Sequence, residues 1–242
     1  SMKNIILPFE AVCIVYTLGS TQEVLMVLQE RAHIYTIANP MYYRLLQLLK
    51  KCLQKMVDYP LASSEDVLNR SVDRYTETKF PVYRFVPGLH PHPVNSPDGH
   101  SYGSEDEEIL KWNSDDWRLN EDYLYGIDLY NYHFYWEAHE AWEALWLASV
   151  RRSSEHMFIQ GLIKTGAALL KVRMASFEIQ DLIGARTLSK SGMDLLSRVG
   201  VSKFMGLDIV EYLESYIEFI NPIFDNQIPY IDQDTPRIIL DF

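Results

Sequence analysis

The spacing of apolar and polar residues predicts helices over most of the chain. The clearest stripe follows Pro40 in MYYRLLQLLKKCLQKMV, where apolar residues recur every three or four positions, as one face of a helix requires. These residues are Tyr42, Leu45, Leu46, Leu49, Leu53 and Met56. A further helix is predicted in SSEDVLNRSVDRY, because serine and acidic residues mark its start. Residues 7–31 fit either a hairpin turning at Gly19-Ser20 or two short helices, and we favour the helices.

The pattern changes at residue 81, where helical spacing ends. Residues 81–103 hold five prolines and three glycines, which exclude both a helix and a central strand. An acidic segment follows in SEDEEILKWNSDDW. Because loops of this length are rare in compact proteins, and this one carries Tyr, Phe, Val and Leu, we predict an ordered strap over another part of the protein.

Helical periodicity returns after residue 119 and predicts an antiparallel bundle. Its helices are expected within residues 123–149, 154–176, 177–199 and 206–224, the first of them either continuous or broken near Gly126. The predicted fold class is all-α, with four regions. They are a helical N-terminal extension at 1–80, the strap and acidic segment at 81–119, the bundle at 120–225 and an extended tail at 226–242.

The stretch YWEAHEAWEALW is the richest aromatic cluster of the chain, and it encloses a His–Glu pair. On a helix of 100° per residue, His139 and Glu143 share one face with large aromatic side chains, so we expect both groups to point into a buried aromatic wall. The wall consists of Tyr132, Trp136, Trp142 and Trp146. Three interpretations stay open: a structural polar pair, two ligands of one metal ion, or a general acid/base pair.

Polar residues elsewhere could complete such a site. In the next helix, Gln160 and Lys164 form a polar line that is either a solvated face or a partner for Glu143. In the strap, His92 and His100 either bond to loop backbone or add two ligands to His139 and Glu143. The predicted metal set therefore contains all four side chains, with a divalent ion of unknown identity as cofactor.

Composition and charge restrict the partners. The net charge is -11, with 22 Lys+Arg against 33 Asp+Glu and no basic patch, which argues against nucleic acid. The two cysteines have no zinc-ligand spacing, and no signal peptide or long apolar run is present. We therefore expect a cytoplasmic, non-membrane protein. Nucleotide-binding glycine motifs, the H-E-x-x-H protease motif and the serine-hydrolase elbow are also missing from the sequence.

The motif residues also resemble a known family. HEAWEALW fits H-x-x-x-E-x-x-[WY], with His139, Glu143 and Trp146 in the fixed places, and it is similar to an uncharacterised bacterial and archaeal family, the domain of unknown function numbered 309. The resemblance extends over FIQGLIKTGAALLKVR and the strap, from Tyr83 to Arg198. It implies an all-α bundle in which metal binding has been suggested, without an established reaction. Lys171 stands where relatives often carry histidine or another polar residue, so we do not count this position among the metal ligands.

Two functional hypotheses follow from these observations. The first is a metal or small-molecule site at His139 and Glu143, which as an enzyme would carry out metal-assisted hydrolysis with Glu143 as ligand or base. The second is a non-enzymatic helical interaction module, including self-association as a homo-oligomer, in which the His–Glu pair is structural.

Overall fold

A computed structural model describes residues 73–103, 112–176, 179–231 and 234–242 of the chain. All of them belong to one compact unit, Leu61–Phe242. The predicted helices or hairpin up to residue 72, and the acidic run 104–111, lie outside the described residues. Residues 73–80, the end of the predicted helical extension, are described and are not helical.

The described chain is mostly helical, which confirms the predicted fold class. Five α-helices follow one another: α1 (Glu121–Asn131), α2 (Tyr135–Ala148), α3 (Ser154–Ala175), α4 (Asp181–Ser197) and α5 (Ile209–Ile220). Two 3₁₀ helices flank them, at Ser114–Leu119 and Asn221–Asp225. Each of the first four helices packs on its sequence neighbour, α1 on α2, α2 on α3 and α3 on α4. Short connections therefore do build a helical bundle.

Three helices begin at residues that satisfy the open backbone N–H groups of the first turn. The side chains of Asn120 and Ser153 accept hydrogen bonds at the starts of α1 and α3, from Tyr123 N and His156 N. Asp208 accepts from two amides at the start of α5. These caps explain where the helices start, because Asn, Ser and Asp compete best for the N-cap position.

The chain breaks between α1 and α2 at residues 132–134 and not near Gly126. His133 adopts a positive φ of 68°, and Phe134 N bonds to Leu129 O at 2.8 Å, which ends α1 and reverses the chain. Gly126 lies inside α1, where an added Cβ would overlap the buried indole of Trp142. This glycine therefore permits the close approach of α1 and α2.

A short hairpin precedes α5 and was not predicted. Its strands β1 (Lys203–Phe204) and β2 (Leu207–Asp208) pair antiparallel, with Phe204 opposite Leu207. The two loop residues, Met205 and Gly206, both have positive φ, at 47° and 80°. Such a pair of dihedrals is the two-residue turn whose twist matches a hairpin. Leu240 of the tail forms an isolated bridge with Leu207, so the hairpin also holds the end of the chain.

Buried polar side chains of α1 hold irregular segments against the bundle. Asp128 accepts hydrogen bonds from Tyr75 N at 2.8 Å and from Thr76 N at 2.9 Å. Burial raises the pKa of Asp128, and these hydrogen bonds oppose the rise. Asn131 donates to Ile238 O and accepts from Ile238 N, both at 2.8 Å. The segments at residues 75–76 and 238 are thus fixed by side chains from one helix.

A chain of hydroxyl groups crosses the centre of the bundle. Tyr212 donates to Thr165 at 2.9 Å, and its oxygen also lies 2.8 Å from that of Tyr130. Ser189 and Tyr216 form a second pair at 3.0 Å. Burial raises the pKa of Tyr212 to about 12, so these groups stay neutral and serve as paired hydrogen-bonding groups in the core.

Among the described helices, none combines the length and the apolar character that a membrane-spanning segment needs.

Candidate functional site

Helix α2 packs into the bundle through a side defined by four residues. Tyr135, Ala138, Trp142 and Leu145 recur at helical spacing and are buried. The Trp142 indole donates to Tyr123 O at 3.1 Å and packs closely against Gly126. This side, with two small or medium residues among two aromatics, is the one that α1 and α3 approach.

The opposite edge of α2 carries His139, Glu140 and Glu143. His139 Nδ1 lies 3.6 Å from Glu140 Oε1, and His139 Nε2 lies 4.0 Å from Glu143 Oε1. The side chains of His139 and Glu143 are 34% and 42% exposed. Burial lowers the pKa of His139, and the Glu143 carboxylate partly opposes this effect, so the imidazole is neutral at pH 7. We call these three residues the open edge.

The predicted inward orientation of His139 and Glu143 is wrong. Both side chains reach solvent, and the carboxylate that is buried belongs to Glu137, two residues before His139. The physical reason is that the buried side of α2 combines Ala138 and Leu145 with two aromatic residues. Counting large aromatic residues therefore does not identify that side.

Glu137 is buried because the strap covers it. The residue is 5% exposed, and its Oε1 accepts hydrogen bonds from Phe85 N at 2.8 Å and pairs with His100 Nε2 at 3.1 Å. The predicted strap therefore docks on α2, and His100 contacts Glu137. The sequence contained a partial signal, since an ordered strap must cover some polar groups, but nothing in the pattern identified which side of α2 it would cover.

The tryptophans of α2 lie in three different surroundings instead of one aromatic wall. Trp142 is in the core, Trp136 contacts the rings of Phe85 and His92 in the strap, and Trp146 donates to His156 Nε2 at 3.1 Å. Tyr132, the fourth predicted member, is buried just after α1. The structure therefore does not bring these side chains together into a single pocket.

Another predicted ligand, His92, has hydrogen-bond partners within the strap. His92 Nδ1 accepts hydrogen bonds from the backbone of Val94 and Asn95, at 3.3 Å each. Gln160 and Lys164 are half-buried on α3, and the ion pair formed by Glu143 is with His139. Among the described residues, the cluster of metal-ligating groups around His139 contains Glu140 and Glu143 and neither strap histidine.

The central helices match the model of a protein family. Residues 123–179 match the model of DUF309, a domain of unknown function. The matched model is that of the family which the motif resembles. It covers less than half of the chain and is shorter than the predicted reach from Tyr83 to Arg198. No curated protein and no solved structure showed significant similarity to the chain.

The segment that matches the DUF309 model includes the candidate site. It contains most of α1, all of α2 and α3, and with them the open edge, Glu137 and Trp142. A domain of unknown function provides no substrate. What the site can do must therefore come from its own groups, which are one neutral imidazole and two carboxylates with access to solvent.

A cavity lies elsewhere, between α5 and the tail. It has a volume of about 380 Å³ and is lined by Asp208, Glu211, Tyr212, Thr235 and Arg237, among others. None of the residues predicted to form a substrate pocket lines it. The open edge is therefore an exposed set of ligating groups and not the wall of this cavity.

Proposed function

We propose that the open edge binds a divalent transition-metal ion through His139, Glu140 and Glu143. The observation that carries this proposal is the grouping of one ligand atom from each residue, with all three atoms within 4.8 Å of one another. One nitrogen and two carboxylate oxygens form a donor set suited to zinc and its neighbours in the transition series.

The chemistry of the three side chains fits such an ion. A metal requires the neutral form of histidine, and the lowered pKa of His139 keeps the ring neutral at pH 7. Ligand atoms around tetrahedral zinc lie about 3.4 Å apart, given bonds near 2.1 Å. One ligand atom from each of the three residues lies within 4.8 Å of the others, which is wider than this, and exposed side chains close such gaps by small rotations.

Solvent access at the same edge favours a reactive site over a purely structural one. Structural zinc sites are closed by four protein ligands, whereas three ligands leave a coordination position for water or substrate. A bound ion would supply a Lewis acid and an activated water, and we therefore propose metal-assisted hydrolysis as the reaction class. His139, Glu140 and Glu143 would hold the ion, and their position on one helix keeps its outer side open.

Isothermal titration calorimetry tests this proposal. The full chain, freed of metal, is titrated with Zn²⁺, Mn²⁺, Ni²⁺ and Mg²⁺. We expect one transition-metal ion per chain, with Mg²⁺ much weaker because the site includes an imidazole. His139→Ala and Glu143→Gln should each weaken binding at least about tenfold.

The matched control is Glu218→Gln, which removes an exposed carboxylate on α5. It should bind metal like the unaltered protein. Equal binding by all variants, or no saturable binding, would contradict the proposal.

A second candidate function is an interaction module, and exposed apolar residues at the end of α2 favour it. Leu147 is 68% exposed and Val150 is 78% exposed, close in sequence to the open edge. Exposed apolar side chains that lie together often mark protein interfaces. Sedimentation velocity of the protein and of a Leu147→Glu, Val150→Lys double variant tests self-association. A concentration-dependent dimer lost in the variant supports this function, and a monomer at all concentrations excludes self-association.

A further inference from the structure

The strap and α2 together arrange a serine, a histidine and a carboxylate in a line. Ser101 Oγ lies 2.9 Å from His100 Nδ1, and His100 Nε2 lies 3.1 Å from Glu137 Oε1. These are hydrogen-bond distances on both sides of one imidazole. The line is separate from the open edge, because none of its three residues belongs to the cluster around His139.

The carboxylate defines which nitrogen of His100 carries the proton. Glu137 Oε1 accepts a hydrogen bond from Phe85 N, and we assign His100 Nε2–H as its second donor. With that proton on Nε2, Nδ1 keeps its lone pair and accepts a hydrogen bond from the Ser101 hydroxyl. We assign this tautomer from the bonding pattern. The arrangement is that of an activated hydroxyl nucleophile, a base and a carboxylate that orients the base.

Burial separates the roles of the three residues. Glu137 is 5% exposed, and its second oxygen, Oε2, is buried without a hydrogen-bond partner among the described residues. Ser101 is half-buried and is followed by two exposed residues, Tyr102 and Gly103. The base is thus buried, with the His100 side chain 6% exposed, while the serine is half-buried beside exposed residues of the strap.

The strap has a defined conformation around the serine. Ser101 N donates to Pro93 O at 3.1 Å, and the ring of Tyr83 packs on that of His100 with centroids 4.6 Å apart. Tyr83 in turn donates to Pro91 O at 2.8 Å. A Cβ at Gly99 would overlap the backbone of Pro93, so this glycine allows the strap to fold tightly. Such support is what a catalytic group needs to keep its geometry.

We propose that Ser101 is a nucleophile for acyl transfer, with His100 as its general base and Glu137 as a positioning residue. The substrate class is small activated acyl esters, because a half-buried serine beside exposed residues of the strap suits a small substrate that approaches from solvent. This activity does not depend on the metal site of the open edge.

The reaction balances with groups that are present. The Ser101 Oγ–carbon bond forms and the carbon–oxygen bond to the leaving alcohol breaks, while the hydroxyl proton passes to His100 Nδ1 and then to the leaving oxygen. Water next attacks the acyl group, gives its proton to His100 and releases the acid, and Ser101 recovers its proton from His100.

A fluorophosphonate probe tests the proposal directly on the full chain. Ser101 Oγ would bond to phosphorus as fluoride leaves, which adds a mass to one peptide. With EDTA present to exclude metal, we expect the label on Ser101, none after Ser101→Ala, and a labelling rate at least about tenfold lower in His100→Gln, since general-base catalysis typically contributes more than that. Ser96→Ala, in the same strap, is the matched control and should label normally.

A second measurement separates positioning by Glu137 from simple stability. The ¹⁵N shifts of the His100 ring report which nitrogen is protonated. We expect Nε2–H in the unaltered protein and a changed proton distribution in Glu137→Gln, whose amide can accept as well as donate. Labelling of Ser101 no faster than of Ser96, or an unchanged rate in a folded His100→Gln protein, would overturn the proposal.

Discussion

Glu137 and Glu143 lie on the same helix and illustrate two different uses of a carboxylate. Glu137 is covered by the strap, and one of its oxygens is engaged by a backbone N–H and an imidazole. Glu143 stays 42% exposed, and its histidine neighbour is 4.0 Å away. The first carboxylate is held by fixed donors and shapes the fold. The second lies partly in solvent, where an incoming cation can reach it.

This comparison shows that the place of a residue in the motif does not determine whether its side chain is buried. His139 and Glu143 occupy the fixed places of the DUF309-like motif, yet the strap fixes Glu137, a residue outside that motif. A buried polar group must be matched by donors, whereas an exposed one loses little when its partner is removed. Substitutions on the two sides of α2 should therefore have opposite effects on stability and on ligand binding.

The largest stability loss is expected for Glu137→Ala. It leaves the N–H groups of Phe85 and His100 buried without an acceptor, which should cost about 2–4 kcal/mol and lower the melting temperature by about 5–15 °C. Thermal unfolding followed by near-UV circular dichroism measures this. Glu143→Ala is the matched control, and equal melting of the two variants would remove the distinction drawn between them.

Asn131→Ala tests whether the same rule applies on α1. The substitution removes both hydrogen bonds to Ile238, so we expect a loss of about 2 kcal/mol, near the value for two buried bonds. Hydrogen exchange should also become faster at the amide of Ile238. Gln227→Ala, at an exposed position after α5, serves as control. Unchanged exchange at Ile238 would show that the tail is held by other contacts.

Trp146→Phe gives a smaller effect because it removes one half-buried hydrogen bond. The ring keeps most of its packing, but His156 Nε2 loses its donor, so about 1 kcal/mol is expected. Urea unfolding of this variant, of His156→Ala and of the double variant yields the coupling energy between the two side chains. A coupling energy near zero would mean that the bond does not stabilise the protein.

The smallest effect on stability is predicted for Glu143→Gln. Its ion pair with His139 is long and half-exposed, and such pairs contribute little, so the free energy of unfolding should change by less than about 0.5 kcal/mol. Urea unfolding without metal measures it. A loss as large as that of Glu137→Ala would indicate that Glu143 has a structural role.

The helices were predictable from sequence because apolar spacing and capping residues act locally. Ser153 precedes α3 as a cap, and the spacing in the bundle region predicted its helices. The hairpin was missed because its turn uses Met205, a residue that rarely adopts positive φ. Its local sequence thus lacks the usual Asn-Gly or Asp-Gly signal.

The site was predictable only in part, because burial depends on distant segments. Two residues of the open edge, His139 and Glu143, were singled out by their spacing, whereas Glu140 was not. Glu137 is buried by Phe85 and His100, which are far away in the sequence. Periodicity along α2 contains no information about where the strap docks. Likewise, the three tryptophans share a stretch of sequence but contact the core, the strap and α3 separately.

Metal titration of Glu143→Gln beside Glu137→Gln tests the central claim most directly. Both variants remove one carboxylate from α2 and differ by the side on which it lies. We predict that Glu143→Gln loses Zn²⁺ affinity at least about tenfold while Glu137→Gln, once shown to be folded, still binds one ion per chain. Loss of binding in Glu137→Gln together with unchanged binding in Glu143→Gln would contradict it.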